Sequence, residues 1–406
     1  MTPQIKKPEL LAPAGNMEKL EIAIHYGADA VYLAGKDYSL RNFSGNFTID
    51  EMEKAVALAH KNNVKVYVAC NIFAKNSDIE HIRPYFYKIG HIYPDAVIIS
   101  DPGILAMAIE IIPHIPIHLS TQANTTNYNS ALFWQKLGIK RINTARELSL
   151  TEIKHIISSC KIEVESFVHG AMCISYSGRC LLSSFMSNRD SNQGLCSHPC
   201  RWKYHVVEEL RPDEYMPIAE DKRGSYIFNS KDLCMIEHIP EIITSGITSL
   251  KIEGRMKSIS YLASTVKTYR EAIDMYFDNS VEYRTKKEWI EELAGINNRG
   301  YSTGFYFNKP EQTKPNASDS IYFTDKLFVG KGIKKTDNCR TLIEVRNKIF
   351  KGDRVEIIGK KDPARHDKIC EIFDVTGQSV PFAQPGSLVT VVFNKSCSKN
   401  DIVRKI

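Results

Sequence analysis

The stretch "EVESFVHGAMCISYSGRC" (163–180) joins a short run rich in β-branched and aromatic residues to a glycine-rich segment with two cysteines. Its first part, Glu163–Gly170, is one of eight similar runs within the first 255 residues. The other seven are Glu9–Pro13, Ala30–Gly35, Val64–Cys70, Ala96–Ser100, Ile117–Thr121, Arg141–Ala145 and Thr248–Gly254. Runs of this length and composition are typical of β-strands.

Most of these runs are separated by segments in which apolar residues recur at helical spacing. In "NMEKLEIAIHYG", for example, Met17, Leu20 and Ile24 share one side, and Gly27 follows as a stop signal. Strands that alternate with helices pair in parallel, so the pattern predicts an α/β fold, a TIM-like (β/α)8 barrel of about 250 residues. A doubly wound open sheet is the alternative. It fits the strand count less well, and no G-x-G-x-x-G follows any strand.

The barrel is expected over residues 1–280, with one anomalous connection. Between the seventh and eighth strands, an insertion at about 171–247 is much longer than a helical crossover needs, and it holds the densest group of cysteines. Loops that follow strands form the catalytic face of this fold, so the insertion is expected to lie over the active-site mouth. Residues 281–320 are interpreted as a connector, and the short strand-like runs of 321–406 predict a small C-terminal all-β barrel.

Composition and charge limit the classes of function. Apolar residues make up 43% and charged residues 25% of the chain, as in ordinary globular proteins. No stretch approaches 18 consecutive apolar residues, and the N-terminus lacks a secretory pattern, so neither a membrane span nor secretion is expected. A cytoplasmic location, where thiols stay reduced, is therefore predicted. The net charge of +6 permits a nucleic-acid partner without requiring one.

The cysteines of the insertion point to metal or redox chemistry. Cys173, Cys180, Cys196 and Cys200 lie within 28 positions, and Cys234 follows in the same insertion. The spacing lacks the C-x2-C of most zinc sites and is compatible with an iron–sulfur cluster, although thiolates suit either metal. The alternative is that they are small buried hydrophobic side chains. That is our interpretation of the remaining cysteines: Cys70, Cys160, Cys339, Cys370 and Cys397.

Polar residues at the ends of the predicted strands indicate a site for a small polar ligand, because these ends meet at one rim of the barrel. They are Asn71, Asp101, Ser120, Thr121, Gln122, Asn124, Arg146, Glu147, His169, Glu253 and Arg255. Any one of them is alternatively a helix cap or a loop residue with its hydrogen bonds satisfied. Cys173 near His169 also raises the possibility of a thiol peptidase, but no known catalytic signature surrounds the thiol.

Several motifs give the chain a resemblance to the peptidase U32 family. The residues at 165–183 match that family's signature: Glu165, Phe167, Gly170, Ala171, Met172, Cys173, Gly178, Cys180, Leu182 and Ser183. "ELLAPAG" (9–15), "GADAVYLAG" (27–35), "NSKDL" (229–233) and "LKIEGRMKS" (250–258) are similar to the family as well. The resemblance extends over essentially the whole chain, including the terminal β-domain.

Within the family, the chain is most similar to the branch that hydroxylates tRNA. The resemblance implies conversion of the wobble uridine to 5-hydroxyuridine, with prephenate as cosubstrate and a 4Fe–4S iron–sulfur cluster as cofactor. Cys173, Cys180 and Cys196 match cluster-binding positions of the family. The fourth ligand is expected to be Cys234, with Cys200 as the alternative. The family's name also keeps open the alternative of a collagenase-like protease.

The remaining site predictions concern catalysis and substrate binding. His169, Glu165 and Arg255 are the predicted catalytic residues, and Arg255 with Lys257 is expected to bind a carboxylate such as those of prephenate. A structural salt bridge to Glu253 is the alternative role for these cations. The run "CRWKYH" (200–205) is expected to stack and clamp an RNA base, unless its tryptophan belongs to the core.

Overall fold

The computed structural model of the 406-residue chain describes residues 6–36, 38, 45–173, 175–178, 180–187, 189, 191, 195–199, 207–208, 211–215, 220–221, 224–225, 231–307, 326–361 and 363–406. Its helices are α1 (Met17–His25), α2 (Ile49–Lys61), α3 (Asn76–Ile92), α4 (Pro102–Ile111), α5 (Tyr128–Lys136), α6 (Leu150–Ser159), α7 (Leu182–Ser187), α8 (Ile239–Thr244), α9 (Ile259–Asp278) and α10 (Lys287–Ala294).

The strands of the N-terminal part and the insertion are β1 (Glu9–Pro13), β2 (Ala30–Ala34), β3 (Lys65–Cys70), β4 (Ala96–Ile99), β5 (Ile117–Leu119), β6 (Arg141–Asn143), β7 (Glu163–Gly170), β8 (Val207–Glu208), β9 (Arg211–Tyr215), β10 (Glu220–Asp221), β11 (Gly224–Ser225), β12 (Asp232–Cys234), β13 (Ser249–Ile252) and β14 (Tyr301–Ser302). The C-terminal strands are β15 (Leu327–Lys335), β16 (Arg340–Val345), β17 (Ile349–Phe350), β18 (Arg354–Ile358), β19 (Arg365–Lys368), β20 (Glu371–Phe373), β21 (Phe382–Ala383), β22 (Leu388–Val392) and β23 (Ile402–Lys405).

Eight parallel strands close into a barrel. The order is β13-β1-β2-β3-β4-β5-β6-β7, and β13 pairs in parallel with both β1 and β7. Each of the eight predicted strand runs contains one of these strands, so the predicted TIM-like fold is confirmed. The doubly wound alternative is wrong, because an open sheet would leave its two end strands unpaired.

Local sequence explains where the surrounding helices begin. Thr48 and Glu51 form a reciprocal capping box at the start of α2, and Ser149 and Glu152 form another at α6. The outward faces of the strands pack with the helices in one large apolar core. A separate small cluster fills part of the barrel interior: Leu11, Ala30, Tyr32, Ala34, Tyr67, Ala69, Ala96 and Ile98. No helix of the described ranges is both long and apolar enough to cross a membrane.

The amino-terminal end of the barrel interior carries paired charges. Arg141 Nη1 lies 2.6 Å from Glu9 Oε1, and the Tyr67 hydroxyl donates to Glu9 Oε2 at 2.6 Å. Arg141 Nη2 also lies 2.7 Å from Glu163. Buried charges are tolerated when they are paired and hydrogen-bonded in this way, so these groups close the end of the barrel that faces away from the predicted site.

The insertion and the predicted connector both extend the barrel sheet. β12 pairs antiparallel with the end of β7, placing Cys234 opposite His169, and β14 pairs in parallel with β12. The connector expected at 281–320 thus contributes α10 and β14 to the same body, as far as it is described. α8 supplies the crossover helix that leads from the insertion to β13.

The C-terminal region is all-β, as predicted. Seven antiparallel strands form a half-barrel in the order β19-β18-β23-β15-β16-β22-β20, and β17 pairs separately with β21. Its inward residues form an apolar core of their own, which includes Val345, Ile357, Ile372 and Val391. Along β16 and β22, fully buried residues alternate with residues that are partly or fully exposed, which matches one packed face and one more open face.

A buried arginine joins the half-barrel to the barrel helices. Arg404 of β23 is fully buried, and its two terminal nitrogens each lie 2.8 Å from a carboxylate oxygen of Glu292 on α10. It also binds Glu356 of β18 and donates to Ser264 of α9 at 3.2 Å. Although burial alone would raise the pKa of Glu292, hydrogen bonds and charge from Arg404 lower it to about 2. This ion pair network fixes the two parts together.

We expect Arg404→Met to destabilise the protein by about 3 kcal/mol, because the largely buried carboxylates of Glu292 and Glu356 lose the arginine and keep only Lys326 as a shared cation. Urea unfolding at neutral pH measures the change. The matched control is Arg83→Met, which removes an exposed pair with Glu110 and should have a much smaller effect. Equal losses for the two variants would contradict the assigned role of Arg404.

Candidate active site at the barrel mouth

A cavity of about 70 Å³ opens where the carboxyl ends of the barrel strands meet. We call it the mouth cavity. It is lined by Tyr32, Ala69, Asn71, Ile98, Ser120, Thr121, Gln122, Asn143, Arg146, Phe167, Lys251, Glu253 and Arg255. Seven of the polar residues predicted at strand ends are in this set, among them the predicted catalytic residue Arg255. The cavity therefore lies where ligands bind in this fold, and it combines cations, amides and hydroxyls.

Other predicted strand-end residues have different roles. Asp101 caps α4, because its carboxylate accepts from the backbone nitrogens of Gly103 and Ile104 at 2.7 and 3.0 Å. Lys257, expected beside Arg255, instead donates to the carbonyl and side-chain oxygens of Asn297, both at 3.0 Å. Lys257 is absent from the residues that line the mouth cavity.

Lys251 and Glu165 form an ion pair within the barrel. Lys251 Nζ donates to Glu165 Oε1 at 2.7 Å, and both side chains are almost fully buried. Lys251 also lines the mouth cavity, whereas the predicted catalytic residue Glu165 is not among its lining residues. Burial lowers the pKa of Lys251 even though the Glu165 carboxylate acts in the opposite direction. The sequence analysis predicted a role for Glu165 but did not identify Lys251 as its partner or as a residue of the cavity.

A second cavity, of about 100 Å³, adjoins the first. We call it the cysteine cavity, since Cys173, Cys180 and Cys196 all line it. The two cavities share Thr121, Gln122 and Arg146. The insertion thus covers the mouth of the barrel, and the structure brings three of the predicted cluster ligands together beside the polar site.

Specific contacts attach the cysteine segment to the loops after β5 and β6. Ser177 N donates to Glu147 Oε1 at 2.8 Å, and Arg146 Nη1 donates to the carbonyl of Ala171 at 2.8 Å. Gly178 has a φ of +77°, and a Cβ there would lie 2.2 Å from the carbonyl oxygen of Gln122. Only glycine permits this approach, so the glycine of the signature places the segment directly on the barrel rim.

The segments that carry Cys180 and Cys196 are also joined to each other. Ser197 N donates to Ser183 Oγ at 3.0 Å, and Ser191 Oγ donates to the carbonyl of Cys180 at 2.7 Å. Arg189 Nε donates to the carbonyl of Leu195 at 3.0 Å. These bonds hold Cys180 and Cys196, which are well separated in the sequence, at the same cavity.

The thiols of Cys173 and Cys180 lie within hydrogen-bonding distance of each other. The hydrogen bond from Cys173 lowers the pKa of Cys180 to about 5, and the same bond raises the pKa of Cys173. One proton shared by two sulfurs produces both effects.

Of the two residues predicted as the fourth ligand, the structure describes Cys234 but not Cys200. Cys234 lies on β12, where its sulfur is 3.9 Å from the Tyr269 hydroxyl, and it is absent from the residues lining the cysteine cavity. Burial raises the pKa of its thiol to about 11. Cys200 and the rest of "CRWKYH" lie outside the described residues. The identity of the fourth ligand stays a prediction.

His169 is enclosed by aromatic rings. Tyr261, Tyr269 and Tyr301 surround it with ring centroids 5.3–5.8 Å away, and its Nδ1 lies 3.4 Å from the Tyr269 hydroxyl. Burial lowers the pKa of His169 to about 3, so the ring is neutral at physiological pH. His169 lines neither cavity, and its predicted catalytic role stays a prediction.

The donor set of the cysteine cavity suits an iron–sulfur cluster. Three cysteines line one space, and soft thiolates are the ligands that such clusters use. Within the described part of the chain, no three His, Cys, Asp or Glu side chains converge on a point that could hold a single metal ion. A cluster does not need such convergence, since each cysteine binds a different iron and the ligands surround it.

Two residues of the mouth cavity left only a weak signal in the sequence. Lys251 is a charged residue in the middle of the buried strand β13, and Asn143 is a polar residue at the end of buried β6. Asn143 Oδ1 is buried without a hydrogen-bond partner among the described residues. A polar residue inside an otherwise buried parallel strand was the signal that could have identified both.

Two family models match the chain. "Peptidase family U32" matches residues 15–316, and "Peptidase family U32 C-terminal domain" matches residues 325–404. The boundary between the two matches falls between β14 and β15. The first match begins just after β1 ends and contains the other seven barrel strands, together with all three cysteines of the cysteine cavity.

Similar proteins include two curated relatives. The chain is 39% identical over 402 residues to the "tRNA hydroxylation protein P1" of Bacillus subtilis, covering 98% of this chain and 95% of that protein. It is 36% identical over 426 residues to the "tRNA hydroxylation protein P" of Escherichia coli, covering 95% and 93%. The solved structure of the U32 peptidase Mk0906 matches with a TM-score of 0.41 and 14% identity, over 62% of this chain and 97% of that one.

Replacement of Gly178 by alanine should move the cysteine segment off the barrel rim. We expect Gly178→Ala to slow disulfide formation between Cys173 and Cys180 under mild oxidation, because the added Cβ clashes with the Gln122 carbonyl. Peptide mapping by mass spectrometry measures the rate. Gly138→Ala is the matched control, since Gly138 also has a positive φ of +87° but nothing within 4 Å of its Cβ position. Unchanged pairing in Gly178→Ala would show that the segment does not depend on this contact.

Proposed function

Because the chain belongs to peptidase family U32, we propose that it is an enzyme that hydroxylates tRNA, converting the wobble uridine to 5-hydroxyuridine. The names of two relatives that match nearly the full chain support this activity. The finer assignment, to the wobble uridine, follows from the sequence resemblance. The proposal places the reaction at the barrel mouth.

The observation that carries the proposal is the junction of the two cavities. Thr121, Gln122 and Arg146 line both, so a substrate in the mouth cavity would lie beside the cavity that the thiols line. Hydroxylation of a base changes its oxidation state, and it needs redox chemistry close to the substrate. The thiols that line the adjoining cysteine cavity are suited to holding a redox group beside the substrate.

The residues that would hold a 4Fe–4S cluster are Cys173, Cys180 and Cys196, with Cys234 or Cys200 as the fourth ligand. When bound, the cluster would supply electron transfer to the reaction. The surrounding residues would hold these cysteines in position. Glu147 accepts a hydrogen bond from Ser177 and holds the segment between Cys173 and Cys180 at the rim, and the bond from Ser197 N to Ser183 Oγ joins the Cys196 segment to the residues that follow Cys180.

The mouth cavity is proposed to bind the cosubstrate. Arg146, Arg255 and Lys251 bring three cations to one small space that has a single carboxylate, Glu253, in its described lining, and this excess of cations suits an organic acid such as prephenate. Lys257, the other cation predicted to bind a carboxylate, is not among the residues that line this cavity. Arg146 is also fixed against the face of Phe167, with the guanidinium carbon 3.9 Å from the ring centroid, and so presents a defined planar donor.

The peptidase alternative has less support from the geometry. A thiol peptidase needs an imidazole that takes the proton of its nucleophile. His169, the predicted partner of Cys173, is instead surrounded by three tyrosine rings and lines neither cavity. The hydroxylation proposal uses the cysteines together and needs no such pair.

Cluster binding is tested by metal content. Protein purified without oxygen should be brown and contain about four iron atoms and equivalent sulfide per chain. Cys196→Ser should lose most of this iron, whereas Cys339→Ser, which alters an exposed cysteine of the C-terminal half-barrel, should retain it. Comparing Cys234→Ser with Cys200→Ser identifies the fourth ligand. Bound zinc without sulfide would contradict the iron–sulfur assignment.

The tRNA activity is tested in cells. A strain that lacks this gene should lose 5-hydroxyuridine and its derivatives from digested tRNA, as measured by mass spectrometry. The wild-type gene should restore the nucleoside, and the Cys196→Ser variant should not, although Cys339→Ser should. An unchanged nucleoside profile in the deletion strain would rule out the proposed activity. Cleavage of gelatin by the purified protein, lost in Cys173→Ala, would favour the peptidase.

A further inference from the structure

We propose that Lys251 is a nucleophilic amine that captures the carbonyl group of a small 2-oxo acid as an imine in the mouth cavity. The inference rests on the proposed function in one respect, because it takes the barrel mouth as the site of a small carboxylate. It adds a covalent step and names the chemical class of the ligand. Its basis is the position of Lys251 and of the charged groups around it.

The amine of Lys251 is held in one position at the cavity floor. The residue lies in the middle of β13, and its side chain is 6% exposed. Its Nζ lies 4.5 Å from the ring centroid of Tyr32 and 5.4 Å from that of Phe167, and both rings also line the mouth cavity. An amine that lies close to two rings of a ligand cavity, in a residue that lines the same cavity, is positioned for reaction with a bound carbonyl carbon.

The surroundings favour the neutral amine that such a reaction needs. Burial lowers the pKa of Lys251, and the charges of Arg146 and Arg141 act in the same direction, against the carboxylate of Glu165. A lysine that is desolvated and close to other cations is activated as a nucleophile in this way. The neighbouring Glu165 carboxylate, at 2.7 Å, is a base that can accept the ammonium proton.

The other cavity residues define the rest of the ligand. Arg146 and Arg255 line the same space and can bind a carboxylate through charge-assisted hydrogen bonds. Asn143 Oδ1 is buried there without a partner among the described residues, so it can accept from a hydroxyl group as the carbonyl oxygen is protonated. A carboxylate site next to an amine selects an acid whose carbonyl is adjacent to its carboxylate. A cavity of about 70 Å³ limits the part that is enclosed to a small group.

The step balances without an oxidant or reductant. Lys251 gives one proton to Glu165, and the free amine attacks the carbonyl carbon, which forms a C–N bond and breaks the carbonyl π bond. The oxygen takes up two protons, one from the attacking nitrogen and one returned by Glu165, and leaves as water when its C–O bond breaks. The product is a protonated imine between Lys251 and the acid. The carbon atom next to the imine then carries a more acidic C–H bond, because the iminium group accepts electrons.

A structural role for Lys251 is the competing explanation. An ion pair with Glu165 would account for their contact, but such a pair needs no access to a cavity. Lys267 provides the comparison within the same chain. It is also buried, and its amine donates to the carbonyl of Gly359 at 3.0 Å and pairs with Glu271, away from both cavities. A structural lysine of this kind should not react.

The test is chemical trapping with pyruvate and sodium borohydride on the full-length protein. Borohydride reduces an imine to a stable secondary amine, so trapping adds the mass of pyruvic acid less one oxygen atom to the modified lysine. Peptide mapping should find this adduct predominantly on Lys251 and not on Lys267. Lactate, which has a carboxylate but no carbonyl, should give no adduct. The same experiment with phenylpyruvate tests whether a larger 2-oxo acid enters.

Variants separate the roles of the residues. Lys251→Arg keeps the positive charge next to Glu165 and should lose the adduct completely, while circular dichroism verifies the fold. Glu165→Gln should slow adduct formation, because the proton acceptor is gone; an unchanged rate would overturn the assignment of Glu165 as the base. Absence of an adduct on Lys251 in the folded wild-type protein, or labelling confined to other lysines, would overturn the proposal.

The outcome is independent of the tRNA experiment. Trapping uses protein without iron and without tRNA, so it does not depend on the cysteine cavity. An adduct on Lys251 together with an unchanged tRNA profile would support the imine and reject tRNA hydroxylation. Loss of 5-hydroxyuridine in the deletion strain together with no adduct would support hydroxylation and reject the imine.

Discussion

Pairing of β13 with both β1 and β7 is the constraint on which the site depends. It closes the parallel sheet, so all eight strands present their carboxyl ends at one rim. Every group of the mouth cavity is attached to that rim by a strand or by the loop that directly follows one. The cysteine segment leaves β7 at the same level and is held there by contacts to the loops after β5 and β6. Barrel closure therefore brings residues that are far apart in the sequence, such as Tyr32 and Arg255, to one cavity.

At the rim, two sets of chemical groups that are far apart in the sequence line adjoining cavities. Cations and amides line the mouth cavity, whereas thiols line the cysteine cavity, and Arg146 belongs to both. Its guanidinium donates to the Ala171 carbonyl just before Cys173 and lies over the ring of Phe167. A change in the position of the cysteine segment would thus be transmitted to the cation that faces the ligand. This coupling explains why both cavities are best treated as one active site.

The strands and the cysteine cluster could be predicted because their signals are local. Each barrel strand is a short apolar run, and the spacing of Cys173, Cys180 and Cys196 is visible in the chain. The pairings inside the barrel could not be predicted, since they depend on register. Lys251 meets Glu165 because β13 lies beside β7, with Ser249 opposite Glu165 and Lys251 opposite Phe167. Similarly, Lys257 follows Arg255 by only two residues but turns to Asn297.

Our central proposal is that the thiols on the barrel rim hold an iron–sulfur cluster next to the mouth cavity. Anomalous X-ray diffraction at the iron absorption edge, from crystals grown without oxygen, tests it most directly. The account predicts a compact peak of anomalous density among Cys173, Cys180 and Cys196, beside Arg146. Iron located elsewhere in the molecule, or a cysteine cavity without iron in protein that retains iron in solution, would contradict it.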